Sequence, residues 1–233
     1  MRQRQRRWFS RPLLSLLRSA PRLASSALVL GLMLSAVLCA ATASAQMPDS
    51  TLFSLMQRWG NVEYQMQGDA QLKAFEDLAG EADMLARSHP EDPHILTAQG
   101  VILASFAKAK GGLGALDLAK RARTTLEQAI AIDPQGEDGS AYVTLGALYQ
   151  HVPGWPIAFG DDDKARQLLE HAVAIRPAGI DTNFYYAQFL EDQGDDTQAM
   201  NYARRAVDGQ PRAGRASDEA LRQEAREWLA ERQ

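Results

Sequence analysis

Apolar and polar positions in the second half of the chain recur with a helical period, and small residues return at fixed places in it. Ala122, Ala129 and Pro134 stand seven and five residues apart, as do Ala165, Ala172 and Pro177, and again Ala199, Ala206 and Pro211. Each triple lies in an amphipathic run: ARTTLEQAIAIDP, ARQLLEHAVAIRP, AMNYARRAVDGQP. Alanines seven apart sit nearly above one another on a helix, and their small side chains let a neighbouring helix approach closely. Proline lacks an N–H and cannot continue a helix, so it marks each stop. A small face with a fixed stop, repeated in tandem, predicts stacked helices.

Pro177 and Pro211 are 34 residues apart, the period of the tetratricopeptide repeat (TPR). Ahead of the second triple, Tyr142, Leu145, Gly146 and Tyr149 are spaced like that repeat's first-helix signature. Ahead of the third, Asn183, Tyr186, Ala187 and Leu190 keep the spacing, with Ala for Gly and Asn for the aromatic. The intervals Pro90–Pro134 and Pro134–Pro177 are 44 and 43 residues, so these units carry insertions. The resemblance implies an all-α, TPR-like right-handed helical solenoid of antiparallel helix pairs. Its units run about 49–92, 93–136, 137–179 and 180–213, with a capping helix at about 217–231.

The first pair is the most degenerate. Leu52, Leu55, Trp59 and Val62 recur at three to four residues, and Leu78, Leu85 and Pro90 echo the later triples. Residues 66–69 form a turn, with Asp69 as N-cap of the next helix. The last helix, through Leu221, Ala225, Trp228 and Leu229, has a narrow apolar face and a Glu/Arg-rich back, which suits the end of a solenoid.

The first 45 residues hold seven arginines and no acid, then an apolar run 27–41 and the triplet Ala43-Ser44-Ala45. This order is that of a signal peptide, so residues 1–45 are expected to be a leader and 46–233 the exported domain. The alternative is an uncleaved inner-membrane anchor. Arg6-Arg7-Trp8-Phe9 resembles a twin-arginine motif, which leaves the export route open. Cys39, the only cysteine, follows Leu38 rather than the small residue that lipidation needs. Without the leader, 18 Lys and Arg face 29 Asp and Glu, a net charge of −11. That balance argues against nucleic acid as a partner. The domain beyond residue 45 has no cysteine, and His89 and His94, across two prolines, lack the spacing of a metal pair. No cofactor and no metal are expected.

Three stretches are candidates for chemistry. Gly111-Gly112-Leu113-Gly114 reads as a helix stop with a tight entry into the next helix, since no strand precedes it and no Lys-Ser/Thr follows. The insertion His151–Gly160 carries Trp155 and Phe159 on a Pro- and Gly-rich loop, either tucked under the solenoid or presented to a partner. Asp161-Asp162-Asp163 after it suits N-capping rather than a calcium loop. Phe184-Tyr185-Tyr186 cannot all face one side of a helix. The residues expected to touch a partner or ligand are Tyr149, His151, Trp155, Phe159, Asp181, Asn183 and Tyr185. None is assigned a catalytic role, and the chain is not expected to be an enzyme.

Gly111–Leu116, Val152–Pro156, Phe159-Gly160-Asp161, Gly179-Ile180-Asp181 and Pro211-Arg212 together resemble a family of exported bacterial TPR proteins related to the T-component of TRAP transporters. That resemblance implies a periplasmic helical protein that partners a solute-binding protein and can self-associate. Two expectations follow: a non-enzymatic scaffold in the periplasm or cell envelope that grips another protein's segment in its concave face, or a transporter accessory that binds a small ligand or the solute-binding protein. A homo-oligomer stays open, and membrane contact is expected only through a retained leader.

Overall fold

A computed structural model of the chain describes residues 47–232; the expected leader and Cys39 lie outside the described residues. Among the described residues nine α-helices follow in order: α1 (Met47–Gln65), α2 (Gly68–Ser88), α3 (Pro93–Lys110), α4 (Leu116–Ile132), α5 (Ser140–His151), α6 (Asp162–Ile175), α7 (Ile180–Asp192), α8 (Asp196–Asp208) and α9 (Ala216–Ala230). They form an all-α, TPR-like right-handed solenoid of antiparallel pairs. Odd-numbered α3, α5 and α7 lie side by side as one layer, each paired to the helix that follows it, and α9 packs on α7 and α8.

The small residues do what their spacing predicts. Ala122, Ala129, Ala165, Ala172, Ala199 and Ala206 have no exposed surface. On the facing helices, a Cβ at Gly100 would lie 2.5 Å from Leu126 Cγ, and one at Gly146 would lie 2.7 Å from Leu169 Cγ. The helices therefore meet closely, and large residues fill the remaining space: Phe75, Ile102, Leu103 and Leu126 in one region, Leu169, Phe189 and Leu190 in another. Burying side chains of this size contributes roughly 1.5–3 kcal/mol each.

Capping follows local chemistry. Asp92 accepts from the backbone N–H of His94 and Ile95, with Pro93 at the first helical position. Asp161 accepts from Lys164 N–H, while Asp162 and Asp163 occupy the positive end of α6. Gly111 and Gly112, at φ +62° and +60°, stop α3. Asp69 is not the N-cap of α2. Gly68, at φ +63°, already opens that helix after Gln67, so Asp69 falls within its first turn and complements the helix dipole instead.

Because the helices alternate in direction, loops leaving α3, α5 and α7 lie on one edge of the array, and loops leaving α4, α6 and α8 lie on the other.

Candidate interaction surface

On the first edge, the loop from Val152 to Gly160 is held by its own backbone. Ile157 and Ala158 donate to Gly154 O, Gly160 donates to Pro153 O, and Asp161 donates to Tyr149 O, all within 3.2 Å. A Cβ on Gly160 would lie 1.8 Å from Val152 O, so only glycine fits there. Phe159 anchors the loop, edge-on to Tyr149 at 5.3 Å and beneath the Arg123 guanidinium at 4.5 Å. Tyr149 OH donates to Glu127, and burial together with that carboxylate raises its pKa. The same framework leaves Trp155 89% exposed and Ile157 60% exposed. Leu113, on the preceding loop of this edge, is 79% exposed. Thus the two aromatics of the insertion part company: Phe159 tucks in and Trp155 stands out. His151, at the end of α5, has an exposed edge; surrounding protein atoms lower its pKa, Asp192 opposes this and Lys108 adds to it.

Asp181 and Asn183 belong to the opposite edge and are buried. Asp181 is paired with Arg176 and, at 3.1 Å, with Arg212. Arg212 also bonds both carboxylate oxygens of Asp218 and the Ser140 hydroxyl. Burial works against the charge on Arg212, but these acids outweigh it and raise its pKa; burial likewise opposes ionised Asp218, whose pKa Arg212 nevertheless lowers. Asn183 donates from Nδ2 to Pro177 O and Gly179 O. Both side chains hold turns in place. Glu137 extends the lattice by binding His94 at 3.1 Å and Arg215. It sits in a run, Gly136 to Gly139, whose four residues all have φ between 50° and 86°. Asp133 holds this left-handed turn through the N–H groups of Gln135 and Glu137.

The three adjacent aromatics of α7 diverge as helix geometry requires. Phe184 meets Trp228 of α9, Tyr186 meets Tyr202 of α8, and Tyr185 turns inward among three apolar clusters. Tyr186 donates to Glu170, and burial with that carboxylate pushes its pKa up to about 12. Burial raises Tyr185 as well, with Glu63, Glu224 and Asp181 adding to the effect.

The concave face is not an open groove. Helix α1 joins α2 and α3 through Leu55, Val62, the Trp59–Ser105 bond at 3.0 Å and the Lys108–Glu63 pair at 3.0 Å. Its other side reaches the far end of the array. Gln57 donates to Gly214 O, Gly60 lies against Ser217, and Tyr64 packs with Ile180, Phe184, Leu221 and Ala225. Of the predicted residues, Tyr149 and His151 at the end of α5 adjoin the loop that carries Trp155 and Phe159; Asp181 and Asn183 serve the opposite edge, and Tyr185 lies under α1. Sequence reasoning missed the Arg212 lattice and the second face of α1. The second face has a readable signal: Phe53, Gln57, Gly60 and Tyr64 fall at spacings of four, three and four.

Two depressions open on the surface, of ≈ 520 Å³ beside residues 89–94 and ≈ 310 Å³ between α2, α3 and α4; neither is lined by a predicted contact residue. Among the described residues no group of three His, Cys, Asp or Glu could hold a metal, and no helix is long and apolar enough to cross a membrane.

No family model matches the sequence, nor does any curated protein. The fold has solved counterparts. TTC0263, a thermophilic TPR protein of Thermus thermophilus, superposes with a TM-score of 0.54 at 17% identity, covering 87% of this chain and 97% of its own. MamA aligns with a TM-score of 0.43 at 14% identity, over 68% of this chain and 86% of its own. At these identities the likeness to TTC0263 speaks for the TPR fold alone.

Proposed function

We infer that the chain is a non-enzymatic exported scaffold that binds another polypeptide of the periplasm or cell envelope, and that the Trp155 loop makes the contact. The observation that carries the reading is the combination of rigid backbone and exposed tip. An indole 89% exposed on a loop with its own hydrogen bonds and an anchored Phe159 gains nothing for the fold from its position. Ile157 and Leu113 extend the apolar surface along the same edge. Large aromatics in rigid settings are the residues that dominate protein interfaces, because little conformational freedom is lost on binding.

The transporter-accessory reading draws support from the same place. Residues 152–161 include much of what resembles the T-component-related family, so a solute-binding protein is one partner to which the exposed loop is suited.

The test is a photo-crosslinking amino acid at position 155 in cells of the source organism, with a second at the exposed Lys73 of α2 as control. The expected result is one envelope polypeptide captured from 155 only, and lost on Ile157→Ser with Leu113→Ser. Equal capture from both positions, or none from 155, overturns the reading. The mass of the purified chain tests export, since cleavage after Ala45 leaves Gln46 as the first residue.

A further inference from the structure

One face of α1 sits against the far end of the array as a bound helical segment would. One side of the helix, Leu55, Trp59 and Val62, is built into the first repeats. The opposite stripe, Phe53, Gln57, Gly60 and Tyr64, reaches elements more than 100 residues later in the chain. Phe53 meets Gly214, Gln57 donates to Gly214 O, Gly60 meets Ser217, and Tyr64 enters the apolar group of Ile180, Phe184, Leu221 and Ala225. A helix seated by an aromatic, a small residue at the closest approach and a second aromatic, at i, i+7 and i+11, is the way an amphipathic segment occupies a groove.

The seam is also weakly held compared with what lies on either side of it. Phe53 is 55% exposed, and the hydrogen bond from Gln57 across the seam ends on a loop carbonyl. By contrast, the loop that receives α1 is fixed to repeats three and four by Arg212 and Arg215, and α1 is fixed to α3 by Trp59 and Glu63. Two well-braced halves meet along a thin contact. Where they meet, burial raises the pKa of Glu224, Lys108 opposes this, and Glu63 and Glu227 add to it, so closing the seam takes a carboxylate out of water.

We propose that this seam opens, and that the surface it uncovers on α7, α9 and the 211–217 loop seats a helix of a partner polypeptide that presents an aromatic–small–aromatic stripe like that of α1. The partner competes with α1, so affinity is set by how readily the seam parts. This proposal rests on the scaffold reading and adds a second contact to it, separate from the Trp155 loop.

The geometry provides its own lock. A Cβ built on Gly60 lies 3.4 Å from Ser217 Cβ, close to the separation that a disulfide spans. Gly60→Cys with Ser217→Cys, in the full chain carrying Cys39→Ser, allows the seam to be closed by oxidation. The probe is a fluorescent synthetic peptide of residues 47–65, with a control peptide in which Phe53, Gly60 and Tyr64 are replaced by Lys. The reduced protein is expected to bind the probe and not the control, and oxidation to weaken binding at least tenfold with an unchanged helical circular dichroism spectrum. Gly60→Gln, which wedges the seam, is expected to strengthen it severalfold.

Equal binding by oxidised and reduced protein, or no binding even by Gly60→Gln, overturns the proposal. Failure of the cysteines to pair in a protein that keeps its helical spectrum removes the seam itself. A concentration-dependent dimer that disappears on oxidation makes a second copy's α1 the occupant and overturns the assignment to a partner. In each of these cases capture through position 155 still stands or falls by itself, so the two readings fail separately.

Discussion

The two edges of the solenoid are made from similar loop lengths and opposite chemistry. On the edge formed by the loops after α4, α6 and α8, buried charge ties successive repeats together: Arg212 alone reaches Ser140, Asp181 and Asp218. On the other edge, the loops after α3 and α5 satisfy their own backbone groups and leave Leu113, Trp155 and Ile157 in solvent. Polar side chains are inside where the fold needs them, and apolar side chains are outside where it does not. Buried groups on the first edge are costly to disturb because each lost partner strands another charge. The tip of the second can be altered without consequence for the fold, which is what marks it as available for another molecule.

Experiments that remove a lattice member should therefore cost stability, and those that trim the exposed tip should cost binding. The largest expected effect is Arg212→Ala, which leaves Asp181 and Asp218 without their shared cation. A loss of about 3 kcal/mol, and a fall in Tm of roughly 6–12 °C for a domain of this size, should appear in thermal melts. Gly160→Ala comes next, because a methyl group cannot fit beside Val152 O; we expect about 2 kcal/mol of destabilisation from forcing the backbone apart, read by denaturant titration. That substitution should also weaken capture through position 155, since it disturbs the frame that presents the indole.

A third effect depends on pH. The pKa of Asp218 is lowered from the ordinary 3.8, with Arg212 outweighing the opposing effect of burial. A carboxyl group lowered by folding contributes stability that is fully present above its unfolded value and is lost as pH falls through its folded value. Melts taken below about pH 4 should lose this contribution in the wild type, and Asp218→Asn should flatten that part of the acid limb while lowering stability at neutral pH. The smallest effect on the fold is Trp155→Ala. Stability should change by no more than about 0.5 kcal/mol, while affinity for the polypeptide identified by crosslinking, titrated with the purified proteins, falls at least tenfold. A large loss of stability from Trp155→Ala would erase the contrast between the edges.

Much of this was legible residue by residue. The Ala–Ala–Pro triples give the helix pairs and their close approach, since a helical period and a side chain that ends at Cβ act locally and alike in the three units that carry them. The Gly111–Gly112 stop and the Asp161 cap were equally plain, for caps depend on backbone groups a few residues away. The mixed fate of Trp155 and Phe159 was not legible. It turns on Arg123, more than thirty residues earlier, whose guanidinium covers one ring and not the other. Asp181 and Asn183 are expected from the sequence to touch a partner, whereas in the fold they bond to Arg212 and to the carbonyls of Pro177 and Gly179.

What the sequence by itself determined, then, is the repeating unit: its helices, its stops and the small faces on which they stack. Only the tertiary structure decided that α1 meets the loop before α9 and covers the concave face. The reason is physical. A repeat fixes the small rotation between neighbours through contacts each unit can encode. Whether those rotations bring the two ends together depends on their sum, and on residues such as Gln57 and Gly214, or Gly60 and Ser217, that meet across more than 150 positions.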